Sequence, residues 1–118
     1  MVVEDDEMVR NLVESVLTSY GYGVILAQSG EQAIELFREN PEQIQLALLD
    51  VIMPRMNGRQ VCEALRRLSP SLKVLFLTGY TADLIQGKGI LVDGVDILLK
   101  PVQPDVLAKK IREMLDAR

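Results

Sequence analysis

The sequence contains no histidine, and its 118 residues include a single cysteine. The absence of histidine excludes a Ser-His-Asp triad, metal ligation by imidazole and histidine phosphotransfer within this chain. One cysteine cannot form an internal disulfide bond, so we expect a reducing, cytoplasmic setting. No run approaches the roughly 20 apolar residues that a membrane span needs. The sequence therefore predicts no membrane contact by this chain.

A block of basic residues is also missing. The 13 Lys and Arg residues are outnumbered by 17 Asp and Glu residues, which gives a net charge of −4. We therefore expect no direct nucleic-acid binding by this chain. The hydrophobic fraction of 48% and the charged fraction of 25% are typical of an ordered globular protein. The length predicts one domain over residues 1–118, of undetermined oligomeric state.

Short apolar runs and stretches of helical spacing alternate along the chain. We predict strands at 1–3, 24–27, 46–49, 74–77 and 97–99, and helices near 9–20, 30–39, 58–68, 82–86 and 104–115. The strands are continuous apolar runs, as expected when helices cover both faces of a sheet. Strand followed by helix, five times over, predicts an α/β fold with an open, doubly wound parallel sheet.

Polar side chains follow four of these predicted strands. Glu4 and Asp5 come after the first, Asp50 after the third, Thr78 after the fourth and Lys100 after the fifth. Because right-handed crossovers place the carboxyl ends of parallel strands at one edge of the sheet, we expect these side chains to converge there. Ligands of such sheets bind at this edge.

Carboxylates that are packed together repel one another, so a proton, a cation or a lysine must offset their charge. Oxygen ligands of this kind suit Mg²⁺. A carboxylate beside Mg²⁺, with Lys100 and Thr78 opposite, is well arranged to receive a phosphoryl group. Asp50 is then the expected nucleophile, and the product is an aspartyl phosphate.

Two other classes of protein are alternatives to this interpretation. A phosphatase or phosphotransferase that uses Asp50 in turnover commonly carries a second aspartate two residues later, and Ile52 stands there. A nucleotide or flavin domain of the same topology needs a glycine-rich loop after the first strand. The sequence has Glu-Asp-Asp-Glu at that point, which would repel phosphate in the absence of a metal.

Four motifs identify a family resemblance that covers essentially the whole chain. They are VVEDD at 2–6, DVIMPRMNG at 50–58, FLTGY at 76–80 and LLKP at 98–101. In this order and at these intervals they resemble the receiver domain of two-component response regulators. The resemblance implies a flavodoxin-like fold, with strand order 2-1-3-4-5 and five helices. It also implies phosphorelay signalling rather than turnover of an outside metabolite.

The resemblance assigns Asp50 as the phosphoacceptor, with Mg²⁺ as the cofactor. Glu4 and Asp5 would be the acidic pair of the metal site, with Asp5 the more direct ligand. The main-chain carbonyl of Ile52 would be a further ligand. Arg10 stands where relatives place a basic residue early in the first helix, which favours Glu4 and Asp5 within the run of four acidic residues.

The same resemblance gives roles to residues after the fourth and fifth strands. Thr78 would hydrogen-bond the phosphoryl oxygens, Lys100 would pair with them, and Pro101 would follow a cis peptide bond. Phosphorylation would switch the loop and helix after the fourth strand. Ile97 occupies the position of the family's usual aromatic switch residue, and Tyr80 is a candidate substitute for it.

The partner implied by the resemblance is a histidine kinase or a histidine phosphotransfer domain. More narrowly, FLTGYT at 76–81 and KPVQPDVLAKKIREMLD at 100–116 resemble receivers at the C-terminus of hybrid sensor histidine kinases. A free-standing receiver would look nearly the same. A degenerate receiver that is never phosphorylated is a further alternative, although all five site positions are filled.

Overall fold

The computed structural model describes residues 1–79 and 95–117. The five strands are β1 (Val2–Val3), β2 (Leu26–Ala27), β3 (Leu46–Asp50), β4 (Lys73–Thr78) and β5 (Asp96–Leu99). The helices within the described ranges are α1 (Glu7–Ser19), α2 (Gly30–Glu39), α3 (Gly58–Leu68) and α4 (Pro104–Asp116). All adjacent strands are parallel, in the order β2-β1-β3-β4-β5.

This arrangement confirms the predicted flavodoxin-like α/β fold and its strand order. The helix predicted at 82–86 lies outside the described residues, so four of the five expected helices are seen within them. None of the described helices has the length and apolar character of a membrane span.

Side-chain caps determine where three of the helices begin. Asp6 accepts a hydrogen bond from the main-chain N–H of Val9, so α1 begins at Glu7, two residues before the predicted start. Ser29 caps α2 by accepting a hydrogen bond from the main-chain N–H of Gln32. Asn57 caps α3 through a reciprocal pair of hydrogen bonds with Gln60, each 2.9 Å long. Such caps satisfy main-chain donors that the helix itself leaves unpaired.

The sheet separates two hydrophobic layers. Helices α1 and α4 cover one face, where Leu48 of β3 packs in the same cluster as Leu17 and Ile111. Helices α2 and α3 cover the other face, where Leu49 lies in a cluster with Phe37. Successive residues of β3 thus point into opposite layers, and all five of its residues are buried. This explains why the strand sequence is continuously apolar up to Asp50.

We expect Leu49→Ala to lower the free energy of unfolding by about 2–5 kcal/mol, because it leaves a cavity at a site with 0% exposure. Leu12→Ala is the matched control, since Leu12 on α1 is 63% exposed. Urea unfolding of both variants checks the expectation. Equal losses of stability in the two variants would contradict the described core.

Candidate functional site

The register of the sheet brings the polar strand ends together at one edge. Val3 pairs with Leu49, so Glu4 directly follows β1 next to Asp50, the last residue of β3. Thr78 ends β4, and its main-chain carbonyl accepts a hydrogen bond of 2.7 Å from the N–H of Lys100, just past β5.

Three carboxylates form a cluster at this edge. Glu4, Asp5 and Asp50 each have an oxygen within 4.8 Å of the others. Glu4 is 4% exposed and Asp50 is 9% exposed, while Asp5 is exposed. Two buried oxygens and one accessible oxygen make a set of hard ligands that is open on one side, which fits Mg²⁺ with water in its remaining positions.

Lys100 lies between two of the acids. Its Nζ atom is 3.2 Å from Glu4 Oε1 and 3.4 Å from Asp50 Oδ1, and its side chain is 24% exposed. The sequence predicted Lys100 opposite Asp50 but not its closer pairing with Glu4. The position of Glu4 could have predicted this pairing, because Glu4 directly follows β1, whose two residues are both buried.

The surroundings of Glu4 favour its protonated form. Burial raises the pKa of this carboxyl from its ordinary 4.5 to about 7, and the hydrogen bond and negative charge of Asp50 act in the same direction. Lys100 opposes the shift but does not cancel it. One ammonium group is therefore too little positive charge for this cluster, and a proton or a cation must supply the rest.

The turn after β3 folds back over the Asp50 carboxylate. The main-chain N–H of Ile52 donates to Asp50 Oδ1 at 3.4 Å. The N–H of Val51 donates to the carbonyl of Leu77 at 3.1 Å, which holds the end of β3 against β4. Ile52, in this turn, is 40% exposed.

Arg10 holds the loop that carries the acidic pair. Its Nη1 atom donates to the carbonyl oxygens of Glu4, at 2.9 Å, and of Asp5, at 3.5 Å. The position of Arg10 in the sequence favoured Glu4 and Asp5 as the acidic pair among the four consecutive acidic residues. The structure gives a physical basis for that choice, because the guanidinium group binds the main chain of those two residues.

The predicted switch residues are only partly described. Thr78 is 1% exposed at the end of β4. Ile97 is half-buried and packs against the layer of α2 and α3. Tyr80 lies outside the described residues, as does the loop and helix expected to respond to phosphorylation. The peptide bond between Lys100 and Pro101 is cis, as the family resemblance implied.

A family model described as the response regulator receiver domain matches residues 1–112. The chain is 39% identical over 117 residues to the probable transcriptional regulator ycf27 of Porphyra purpurea, a match that covers 98% of this chain and 46% of that protein. It is 34% identical over 111 residues to the uncharacterized transcriptional regulatory protein YrkP of Bacillus subtilis, covering 94% of this chain and 46% of that one. The chain thus spans about half the length of these curated relatives.

Solved structures of receiver domains are also similar to this chain. The receiver domain from the hybrid histidine kinase CckA is 31% identical with a TM-score of 0.83, and the match covers 98% of this chain and 96% of that one. A response regulator receiver domain protein from Clostridium thermocellum has a TM-score of 0.87 at 25% identity, with 98% and 91% covered.

We expect the free energy of unfolding, measured in EDTA, to fall as the pH rises from about 4.5 to about 7. The folded state holds the Glu4 proton more tightly than the unfolded chain, so its stabilising effect is complete below the lower pKa and is lost above the higher one. Each unit by which the folded-state pKa exceeds the unfolded one contributes at most about 1.4 kcal/mol.

Glu4→Gln should remove this component of the pH dependence. Glu7→Gln is the matched control, since Glu7 is an exposed glutamate on α1. Urea unfolding across this pH range distinguishes the variants. Parallel profiles for wild type and Glu4→Gln would contradict the assignment of this titration to Glu4.

Proposed function

Because this chain belongs to the response regulator receiver family and is a receiver domain of two-component signalling, we propose that Asp50 is its phosphoacceptor. The observation that carries the proposal is the position of the Asp50 carboxylate. It ends the central strand at the edge of the sheet, 3.4 Å from Lys100 Nζ and within 4.8 Å of two further carboxylates. An acceptor carboxylate needs this combination of access and positive charge.

The proposed cofactor is Mg²⁺. The carboxylates of Glu4, Asp5 and Asp50 and the main-chain carbonyl of Ile52 would hold it. When bound, it offsets negative charge on the oxygens of the transferring phosphoryl group. The clustering of three carboxylates around one accessible opening supports this choice of cation.

The residues of the chain have separate tasks in the proposed transfer. An oxygen of Asp50 attacks the phosphorus atom of a donor phosphohistidine, the P–N bond breaks, and the imidazole leaves with the bonding electrons. Lys100 places its ammonium group beside the phosphoryl oxygens, and the hydroxyl of Thr78 donates a hydrogen bond to one of them. Both groups stabilise charge that builds up during the transfer.

The conformational response proposed is a change in the segment after β4, where the sequence predicts a loop and a helix. Thr78 stands at the start of that segment, and Ile97 packs on the layer of α2 and α3 beside β4. A hydrogen bond from Thr78 to the phosphoryl group would pull on the chain just before Tyr80. Whether Tyr80 substitutes for the family's aromatic switch residue stays a prediction.

The proposed donor is a histidine kinase or a histidine phosphotransfer domain. Placement of this receiver at the C-terminus of a hybrid kinase stays a prediction. A solved receiver of a hybrid kinase supports it at 31% identity, whereas the curated relatives named above are transcriptional regulators. The alternative proposal is that this domain belongs to a longer transcriptional regulator that contacts DNA. The net charge of −4 argues only that the receiver itself does not make that contact.

An apolar groove beside the acceptor site offers a place for the donor protein. Its lining consists of Val9, Leu12, Val13, Leu77, Lys100, Pro101 and Val102. Lys100 belongs both to this groove and to the acceptor site, so a protein seated here has its own surface next to Asp50. Met8 and Leu12 on α1 are 83% and 63% exposed, which leaves apolar area for such a partner to cover.

We expect wild type to gain one phosphoryl group from acetyl phosphate and Mg²⁺, and Asp50→Asn to gain none, because the amide is not a nucleophile. Intact-mass measurement before and after EDTA addition checks both results. Persistence of the added mass in Asp50→Asn would refute Asp50 as the acceptor. A wild type that neither gains mass nor consumes the donor would favour the degenerate receiver, and rapid hydrolysis of the donor with no accumulation of phosphorylated protein would favour the phosphatase alternative.

A comparison of two neighbouring acids tests the metal site. Asp5→Asn should lower the apparent Mg²⁺ affinity in the acetyl phosphate reaction by about tenfold or more, because it removes a charged ligand. Asp6→Asn should leave that affinity unchanged, since Asp6 caps α1 and asparagine caps equally well. Equal effects of the two changes would exclude a specific role for Asp5.

Leu12→Gln should slow phosphoryl transfer from a histidine phosphotransfer protein and leave the reaction with acetyl phosphate unchanged. The change removes apolar contact area from the groove without adding charge. Leu68→Gln on α3 is the control, since Leu68 is 43% exposed and lies at the far end of its helix from the acceptor site. Equal slowing with both donors, or by both variants, would argue against this docking surface.

A further inference from the structure

Gly58, the first residue of α3, lies in direct contact with the main chain of Asp50 and Val51. Its N–H donates to the carbonyl of Val51 at 2.8 Å. A Cβ atom at this position would lie 2.7 Å from the carbonyl oxygen of Asp50 and 3.0 Å from the Cα atom of Val51. These neighbours are main-chain atoms, so no side-chain rotation can relieve the overlap.

The other common reasons for a glycine do not apply at position 58. Its φ is not in the positive range, where glycine is favoured over other residues. Glycine is also a poor choice inside a helix on propensity alone. The remaining reason for a glycine is the close approach of the main chain at the start of α3 to the main chain of Asp50 and Val51.

Neither segment can withdraw easily from this contact. The start of α3 is held by the capping box of Asn57 and Gln60 and by Val61, which has 0% exposure. The end of β3 is held by Val51, which is also fully buried and donates to Leu77 of β4. An added methyl group would therefore displace the segment from Asp50 to Ile52 or tilt the start of α3.

We infer that Gly58 is a positioning residue for the acceptor site. It lets α3 press directly against the main chain at Asp50 and Val51, and so sets the point from which the Asp50 carboxylate extends. The same contact sets the position of Ile52, whose carbonyl is a proposed metal ligand. The inference rests on the proposed function, because it concerns how that site keeps its geometry.

Gly58→Ala is the test, with Gly30→Ala as the matched control. A Cβ atom at Gly30 would be equally crowded, at 2.7 Å from Val61 Cγ2 and 2.9 Å from Met56 Cβ. Those atoms belong to the side chains of Val61 on α3 and Met56 in the turn after β3, whereas the overlap at Gly58 is with the main chain of Asp50 and Val51 itself. Both variants are expected to lose stability, but only Gly58→Ala should move the acceptor.

The measurements are the Mg²⁺ dissociation constant from calorimetry, the rate of phosphorylation by acetyl phosphate at saturating Mg²⁺, and urea unfolding. Gly58→Ala should weaken Mg²⁺ binding and slow phosphorylation by about tenfold or more, as expected for a misplaced reacting group. Gly30→Ala should keep both values within about twofold of wild type, at a similar loss of stability.

Equal Mg²⁺ affinity and equal rates in the two variants would overturn the inference. If Gly58→Ala is largely unfolded in plain buffer, the same comparison in trimethylamine N-oxide restores a folded population. A Gly58→Ala chain that stays unfolded there would make this residue a requirement of the whole fold, which also overturns the inference. If wild type accepts no phosphoryl group, the proposed function fails, while the Mg²⁺ affinities still decide the role of Gly58.

Discussion

The balance of charge among Glu4, Asp50 and Lys100 is the interaction on which the rest of the site depends. Two buried carboxylates share one ammonium group, at 3.2 and 3.4 Å. Charged groups out of water are stable only when they are paired, so this set is one positive charge short. Burial, together with the nearby charge of Asp50, raises the pKa of Glu4, and the shortage of positive charge explains the fit of the cluster to a divalent cation. The pairing of Asp50 with Lys100 explains how an Asp can end an otherwise apolar strand.

The scaffold keeps these groups together mainly through the main chain. Parallel pairing carries Asp50 and Thr78 to the same edge, and the N–H of Lys100 joins the end of β5 to that of β4. Arg10 secures the loop with the acidic pair, and Gly58 secures the turn after β3. Because these main-chain contacts hold the loops in place, the charged side chains of the site keep their relative positions, as a preorganised electrostatic site requires.

Much of this could be predicted from the sequence, because strand ends are visible in it. An apolar run that stops at Asp50 or Thr78 shows which residue leaves the sheet, and parallel topology then brings those residues to one edge. The closer pairing of Lys100 with Glu4 was not predicted. Nor was the close approach at Gly58, which the sequence marks only as the start of a predicted helix.

The sequence by itself determined the succession of strands and helices along the chain. It also determined which polar residues stand at the strand ends, since both follow from local apolar periodicity. Tertiary structure decided which acid of the run is buried, which one Lys100 approaches more closely, and how near α3 comes to Asp50. Those properties depend on what packs over each residue from distant parts of the chain. No local pattern carries that information, because burial and distance belong to the packed layers and not to the segment.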